Sequence, residues 1–379
     1  MATVSSLTGT HLDPVAGAQD ELLVCRRQLS EPHRERLERL AFERASVPES
    51  YDIVVSEGKV IQMPCGGGVA SVLEDGRFWH VAGGLLADDD VKPKMAHWLA
   101  GVSEQENKTI AVYNVNRRDA LLLQDEGFVI NKFGEEPILN PQQQSWSGKR
   151  FEWVRRQSNY CRRAGIVIEE VTASGQQAEL GDTLLDIMTD DLSGRTFDKP
   201  LRLLEGQFDP HLLQRRRLFV ARREDDQHIE GFLACSPLHG GRGWAFETYR
   251  KRTQSTRGLT AHLFRSVCDQ LKAEGVERVS LCLVPGRNVA ESEFSDCDKR
   301  LQWLLNAWYG RLGLLFNARG QDHFKSRFRP DYEPRYLCVN PGSTLTSIWS
   351  FLRTTGSLKA NWWNLTRQTW NATVRRKRG

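Results

Sequence analysis

Between Thr109 and Leu139 the chain reads as strand, helix, strand: TIAVYNV, RRDALLLQDEGF, VINKFGEEPIL. Apolar residues run together in the outer segments and recur at helical spacing in the middle one. The same flavour returns between Gly243 and Pro285, as GWAFETYR, LTAHLFRSVCDQLKAEG and VERVSLCLVP. Strands alternating with helices of this length predict an α/β (α+β) arrangement in two consecutive units.

The flanking segments extend both units. SEPHRERLERLAFERA predicts a helix capped by Ser30, with Pro32 in its first turn. Four short β-like pieces follow, YDIVVS, KVIQMP, GVASVLE and RFWHVAGG, divided by glycine turns. The CGGG at Cys65–Gly68 reads as a hairpin turn, because no helix-forming run follows it to complete a phosphate cradle. VKPKMAHWLAGVSEQ, GQQAELGDTLLDIMTDDL and RLQWLLNAWYGRLG predict helices, and RLFVARREDDQHIEGFLACSP a hairpin. The expected organisation is a flexible N-terminus (1–29), a first unit (30–146), a linker helix (147–165), a second unit (166–340) and a tail (341–379).

Net charge is only +4, so placement of the cations matters more than their sum. The linker carries Lys149, Arg150, Arg155, Arg156, Arg162 and Arg163 against one acid, Glu152. Its two Arg-Arg pairs lie seven apart, on one helical face. Such a face is either solvated or attracts a polyanion. From Leu345 onward there are seven cations and no acid, interleaved with Trp349, Trp362, Trp363 and Trp370. Tryptophan favours the membrane–water interface and cations favour anionic headgroups; the alternative is a helix docked on the body. No run approaches eighteen apolar residues, and the N-terminus lacks signal-peptide regions. Eight cysteines show no C-x-x-C pair and the histidines no ligand spacing. These features predict free thiols, no metal, and a cytoplasmic, peripherally membrane-associated protein.

The closing stretch FKSRFRPDYEPRY, Phe324 to Tyr336, concentrates four cations among four aromatics and two prolines. A cation-rich, proline-braced loop of this kind suits phosphates and terminal bases, because arginine binds phosphate bidentately and stacks on rings. Lys325, Arg327 and Arg329 are the candidates, together with Arg155, Arg156, Arg162 and Arg163 of the linker.

In order along the chain, GFVINKFGEEPIL, the basic helix 149–165, RTFDKPLRLLEGQFDPHLLQRRRLFVARRE, GWAFETYRKR and FKSRFRPDYEPRYL resemble landmarks of the cytosolic C-terminal domain of phosphatidylglycerol lysyltransferases. The resemblance covers about residues 30–340. It implies two tandem folds of the GNAT acyltransferase type joined by a basic helix, with aminoacyl-tRNA as donor, a hydroxyl of an anionic membrane lipid as acceptor, and no other cofactor. It also implies that Glu247 and Arg250, matching the family's acid-x-x-Arg pair, are catalytic. Glu247 stands where the family has Asp, and the multi-helix membrane half of the full-length enzymes has no counterpart here.

An aminoacyl ester is already activated, so its transfer needs a base, charge stabilisation at the oxyanion and a grip on the tRNA end. No Ser–His–Asp or Cys–His pattern stands out, which predicts direct attack without a covalent enzyme intermediate. Glu247 would orient the α-amino group or act as base; Arg250 would hold a phosphate. Glu333, Arg335 and Tyr336 are expected to brace the last strand. In the loop that would hold coenzyme A, RTQSTRGLTAHL, Ser255 and Thr260 replace the residues an acetyl-CoA enzyme requires. An acyl-CoA N-acyltransferase and a non-catalytic RNA- or membrane-binding adaptor remain the alternatives.

Overall fold

The structure, a computed structural model, describes residues 23–359 apart from 56–57, 65–66, 173, 198, 206–207, 211–214 and 312–317. The first half contains β1 (Leu23–Cys25), α1 (Glu31–Arg44), a 3-10 turn (Pro48–Tyr51) and α2 (Asp52–Val55). Then come β2 (Lys59–Gln62), β3 (Gly68–Asp75), β4 (Phe78–Ala87), α3 (Lys92–Gln105), β5 (Thr109–Val115), α4 (Arg117–Asp125) and β6 (Val129–Leu139). The basic helix is α5 (Glu152–Arg163). The second half comprises β7 (Ile166–Val171), α6 (Ser174–Ser193), β8 (Arg217–Arg223), β9 (Ile229–Leu238), β10 (Gly243–Lys251), α7 (Leu259–Ala273), β11 (Arg278–Ser280) and β12 (Val284–Pro285). Last are α8 (Lys299–Arg311), α9 (Ala318–Ser326), β13 (Asp331–Asn340) and α10 (Leu345–Thr355).

All the strands join one mixed sheet in the order β1-β2-β3-β4-β5-β13-β6-β11-β10-β9-β8-β7, with β12 beside β6. Each half is an antiparallel run ending in one parallel step. That step is β4 to β5, crossed over by α3, and again β10 to β11, crossed over by α7. The halves exchange strands at the centre: β13 lies between β5 and β6, and β6 lies between β13 and β11. The mixed α/β class expected from the sequence is therefore what forms. Separate apolar clusters fill the faces, one around Trp79, Leu99 and Ile130, another around Phe246, Phe264 and Phe328.

Local expectations fail in three places. Of YDIVVS, Tyr51–Val55 is helical, not a strand: Pro48 opens a 3-10 turn, and Tyr51 and Ile53 are buried. VERVSLCLVP is broken into β11 and β12, because the chain leaves the sheet with Cys282 in the left-handed region, φ 65°. The closing stretch is not a loop: Phe324, Lys325 and Ser326 end α9, Arg329 turns the chain at φ 57°, and Asp331 begins β13.

Candidate active site

Parallel strands β10 and β11 pair only from Gly243–Ala245 to Arg278–Ser280. Beyond Ala245, β10 continues beside β9 while the other strand turns away. A gap opens between them, and a pocket of about 40 Å³ sits at its mouth, lined by Glu49, Glu205, Glu247, Arg250 and Lys325 among others. Residues three apart in a regular strand point to opposite faces. A bulge between Phe246 and Thr248 adds one residue, so Glu247 and Arg250 both line the pocket.

The two do not pair with each other. The Glu247 carboxylate accepts from Ser236 Oγ and from Arg216 Nη2 at 3.3 Å. Its Oε1 has no hydrogen-bond partner among the described residues. Burial raises its pKa, against the pull of Arg216. Arg250 Nη2 donates to Glu205 Oε2 at 3.0 Å, and its Nε lies 3.8 Å from Asp191 Oδ2. Neither residue belongs to a surface ion pair: Glu247 and Arg250 side chains are 2% and 7% exposed.

Lys325 lies inside, on the buried face of α9. Its ammonium donates to Cys282 O at 2.9 Å and Leu283 O at 3.2 Å, the carbonyls freed where the strand turns away. Burial lowers its pKa. A buried ammonium held by neutral carbonyls is a localised positive charge facing the pocket.

The sequence reading missed Glu49. The Pro48–Tyr51 turn docks on β4, where Ser50 Oγ donates to Gly83 O at 2.6 Å. Gly83 has φ +72°, and a Cβ there would stand 2.2 Å from the Ser50 backbone. This close approach carries Glu49 across to the pocket, fully buried. Asn114, at φ 58°, donates to its carboxyl through Nδ2. Burial pushes the Glu49 pKa up to about 8. The signal was available: a Gly-Gly pair inside a strand marks a close backbone approach.

Other candidates separate into inside and outside. On α5, Val154, Gln157 and Cys161 face the core, while Arg156, Arg162 and Arg163 are exposed. Arg155 turns back to Trp146 O and Gly148 O, each at 2.7 Å. Arg327 lies over the Trp153 ring of α5 at 5.8 Å, and Arg329 is exposed beside it in sequence. The surface cations of the closing stretch thus adjoin the basic helix. Arg335 is buried against Glu136, and Glu333 pairs with Arg278 at 2.7 Å, so both brace β13 as expected. Trp349 is exposed on α10, which packs on the body through Ile348, Ser350 and Phe351. The segment 345–359 is therefore docked, not a free tail; Trp362, Trp363 and Trp370 lie outside the described residues.

The start of α7, where a coenzyme A pyrophosphate would approach, is already occupied. Thr256 N donates to Glu230 Oε2 at 2.6 Å. Helix α5 lies across the turn, with Gln157 Cβ 2.8 Å from where a Gly258 Cβ would stand. Among the described residues no group of side chains could hold a metal ion, and no helix is long and apolar enough to cross a membrane.

The family profile of phosphatidylglycerol lysyltransferase C-terminal domains matches residues 39–339. The chain belongs to this family. It is similar to the phosphatidylglycerol lysyltransferase of Bacillus subtilis, 23% identical over 255 residues, 66% of this chain and 28% of that protein. It is also similar to the lysylphosphatidylglycerol biosynthesis bifunctional protein LysX of Rhodococcus jostii, 23% identical over 70% of this chain and 24% of that one. The chain thus spans under a third of the length of these relatives. Two solved structures share the fold. The C-terminal domain of a lysylphosphatidylglycerol synthetase from Agrobacterium fabrum superposes with a TM-score of 0.71 at 19% identity, covering 87% of this chain and 97% of that one. L-PGS from Bacillus licheniformis gives 0.70 at 19% identity, covering 86% of this chain and 96% of that one.

Proposed function

We propose that the chain is an aminoacyltransferase that moves an amino acid from aminoacyl-tRNA to a hydroxyl of a membrane lipid such as phosphatidylglycerol. The observation that carries this is the pocket itself. A buried carboxylate with an unpartnered oxygen, Glu247 Oε1, faces a gap also lined by Arg250 and Lys325. The acceptor hydroxyl attacks the ester carbonyl and its proton passes to the Glu247 carboxylate, whose raised pKa suits a base. The Lys325 ammonium and Arg250 stabilise the oxyanion. The carbonyl re-forms, the ester C–O bond breaks, and the tRNA terminal oxygen leaves with the proton. The exposed arginines of α5, with Arg327 and Arg329, hold the donor's phosphates.

The occupied amide at Thr256 and the α5 helix over Gly258 weigh against an acyl-CoA donor. Purified protein, lipid vesicles, charged tRNA and labelled amino acid test the proposal. Label should enter lipid only with intact charged tRNA. Transfer that survives RNase, or turnover supported by acetyl-CoA, would sink it. Replacing Arg156, Arg162 and Arg163 with Gln should lower tRNA affinity and reduce the slope of log affinity against log salt by about 2–3.

A further inference from the structure

A second cavity, of about 160 Å³, lies between the sheet, α8 and α10. Its walls are apolar: Phe133 and Leu337 from the sheet, Leu305 and Trp308 from α8, Ile348 and Phe351 from α10. His80, Thr109, Tyr113, Ser343 and Ser347 bring polar groups to its lining. Protein interiors close such voids, because an empty cavity forfeits packing. A cavity of about 150 Å³ lined by Leu, Ile and Phe takes up a benzene-sized apolar molecule. The space here therefore suits a segment of roughly six carbons.

We propose that this cavity holds one acyl chain of the acceptor lipid, a proposal that rests on the lipid-acceptor reading above. Three further observations point to that occupant. The helix roofing the cavity exposes Leu345 and Trp349, 75% and 57% accessible, as apolar contacts for a bilayer surface. Leu204 and Leu283 line the polar pocket and belong to the same apolar cluster as Phe133, Leu301 and Leu305, which line the cavity. An acyl chain and a headgroup hydroxyl thereby meet two adjoining sites of matching polarity. Third, the lining offers no buried charge to a polar ligand.

Calorimetric titration with monomeric lysophosphatidylglycerols of butanoyl, hexanoyl, octanoyl and decanoyl chain length tests this. Each methylene entering the cavity should tighten binding about fourfold. The hexanoyl-to-butanoyl ratio should be about fifteenfold, with a plateau once the cavity is full. Ile348→Trp, which fills the space from α10, should bring that ratio to about one; Leu304→Trp does the same from α8. A flat series in the natural protein, or an unchanged ratio in whichever filled variant folds, overturns the proposal. Charged-tRNA turnover is read separately. Chain-length-dependent binding without transfer would remove the aminoacyltransfer reading and leave the cavity. Transfer with a flat series would do the reverse.

Discussion

The two parallel steps of the sheet end differently. β4 and β5 pair as far as Val81 and Val112, and β10 and β11 as far as Ala245 and Ser280. Past those points both pairs part. The first opening is covered on both faces, with the apolar cavity described above lying beneath one of the covers. The Pro48–Tyr51 turn fills one, with Ser50 bonded to Gly83, and α10 covers the other, stacking Phe351 on Tyr113 at 5.2 Å. The second opening keeps a polar pocket at its mouth, and the same turn supplies Pro48 and Glu49 to its lining. Crevices at the carboxyl ends of parallel strands are where α/β sheets bind ligands. Two copies of one arrangement thus differ by what is inserted in them, and the insertion that closes one copy delivers Glu49 to the other.

The largest expected effect tests that delivery through pH. Burial raises the Glu49 pKa from 4.5 to about 8. A carboxyl raised on folding contributes stability that is complete below its unfolded value and lost as pH rises through its folded value. Stability should therefore fall between pH 4.5 and 8, by about 4–5 kcal/mol from this group. Glu49→Gln should flatten the curve over that window. Urea unfolding across it decides: parallel curves for the two proteins would mean that Glu49 is ionised in the folded state.

Next is the plug itself. Ala at position 83 meets the Ser50 backbone and takes a left-handed conformation, so the turn must shift. Gly84→Ala is the control, since its φ is +75° and nothing stands within 4 Å. The control should lose about 1–2 kcal/mol from backbone strain alone. Gly83→Ala should lose about 3 kcal/mol or more, because the clash adds to that strain. Equal losses would mean the turn is loosely seated.

The open copy should respond in rate. Glu247→Gln keeps the shape of a side chain fully inside the pocket and removes its basicity. Turnover should fall about 10²-fold or more if the carboxylate acts in the transition state. A folded variant that turns over at the natural rate would return Glu247 to a structural role, holding Arg216 and Ser236 in place.

Much of this frame was legible. TIAVYNV and VINKFGEEPIL coincide with β5 and β6 residue for residue, because their apolar patterns carry the period directly. The acid-x-x-Arg pair was found, but its shared pocket depends on a one-residue bulge that no pattern announces. Charge misled at the closing stretch. Lys325 looks like Arg327 and Arg329 in sequence, yet the Cys282 and Leu283 carbonyls hold it inside, whereas Arg335, read as a brace for the last strand, is buried against Glu136. What fixes each is the neighbour contributed by a distant strand. YDIVVS misled for a similar reason: its apolar run meets a turn begun by Pro48, and the tertiary seat on Gly83 outweighs strand propensity.

The smallest effects belong to α10, the cover on the far face of the closed opening. Two of its contacts with β3 and β4 differ in burial. Ser350, 1% exposed, donates to Asp75 Oδ2 at 2.6 Å and sits 2.9 Å from His80 Nε2. Removing its hydroxyl leaves His80 without that partner, and Ser350→Ala should cost about 1–3 kcal/mol. Arg353 grips the same Asp75, Nε to Oδ2 at 3.0 Å, but its side chain is 60% exposed. Solvent screens that pair, so Arg353→Gln should cost about 0–1 kcal/mol and its effect should fade in high salt. Thermal unfolding of the two variants at low and high salt ranks them. A loss from Arg353→Gln that exceeds the loss from Ser350→Ala at low salt and fades at high salt would mean that charge, and not the buried hydroxyl with Phe351 and Ile348, holds the cover over the first opening.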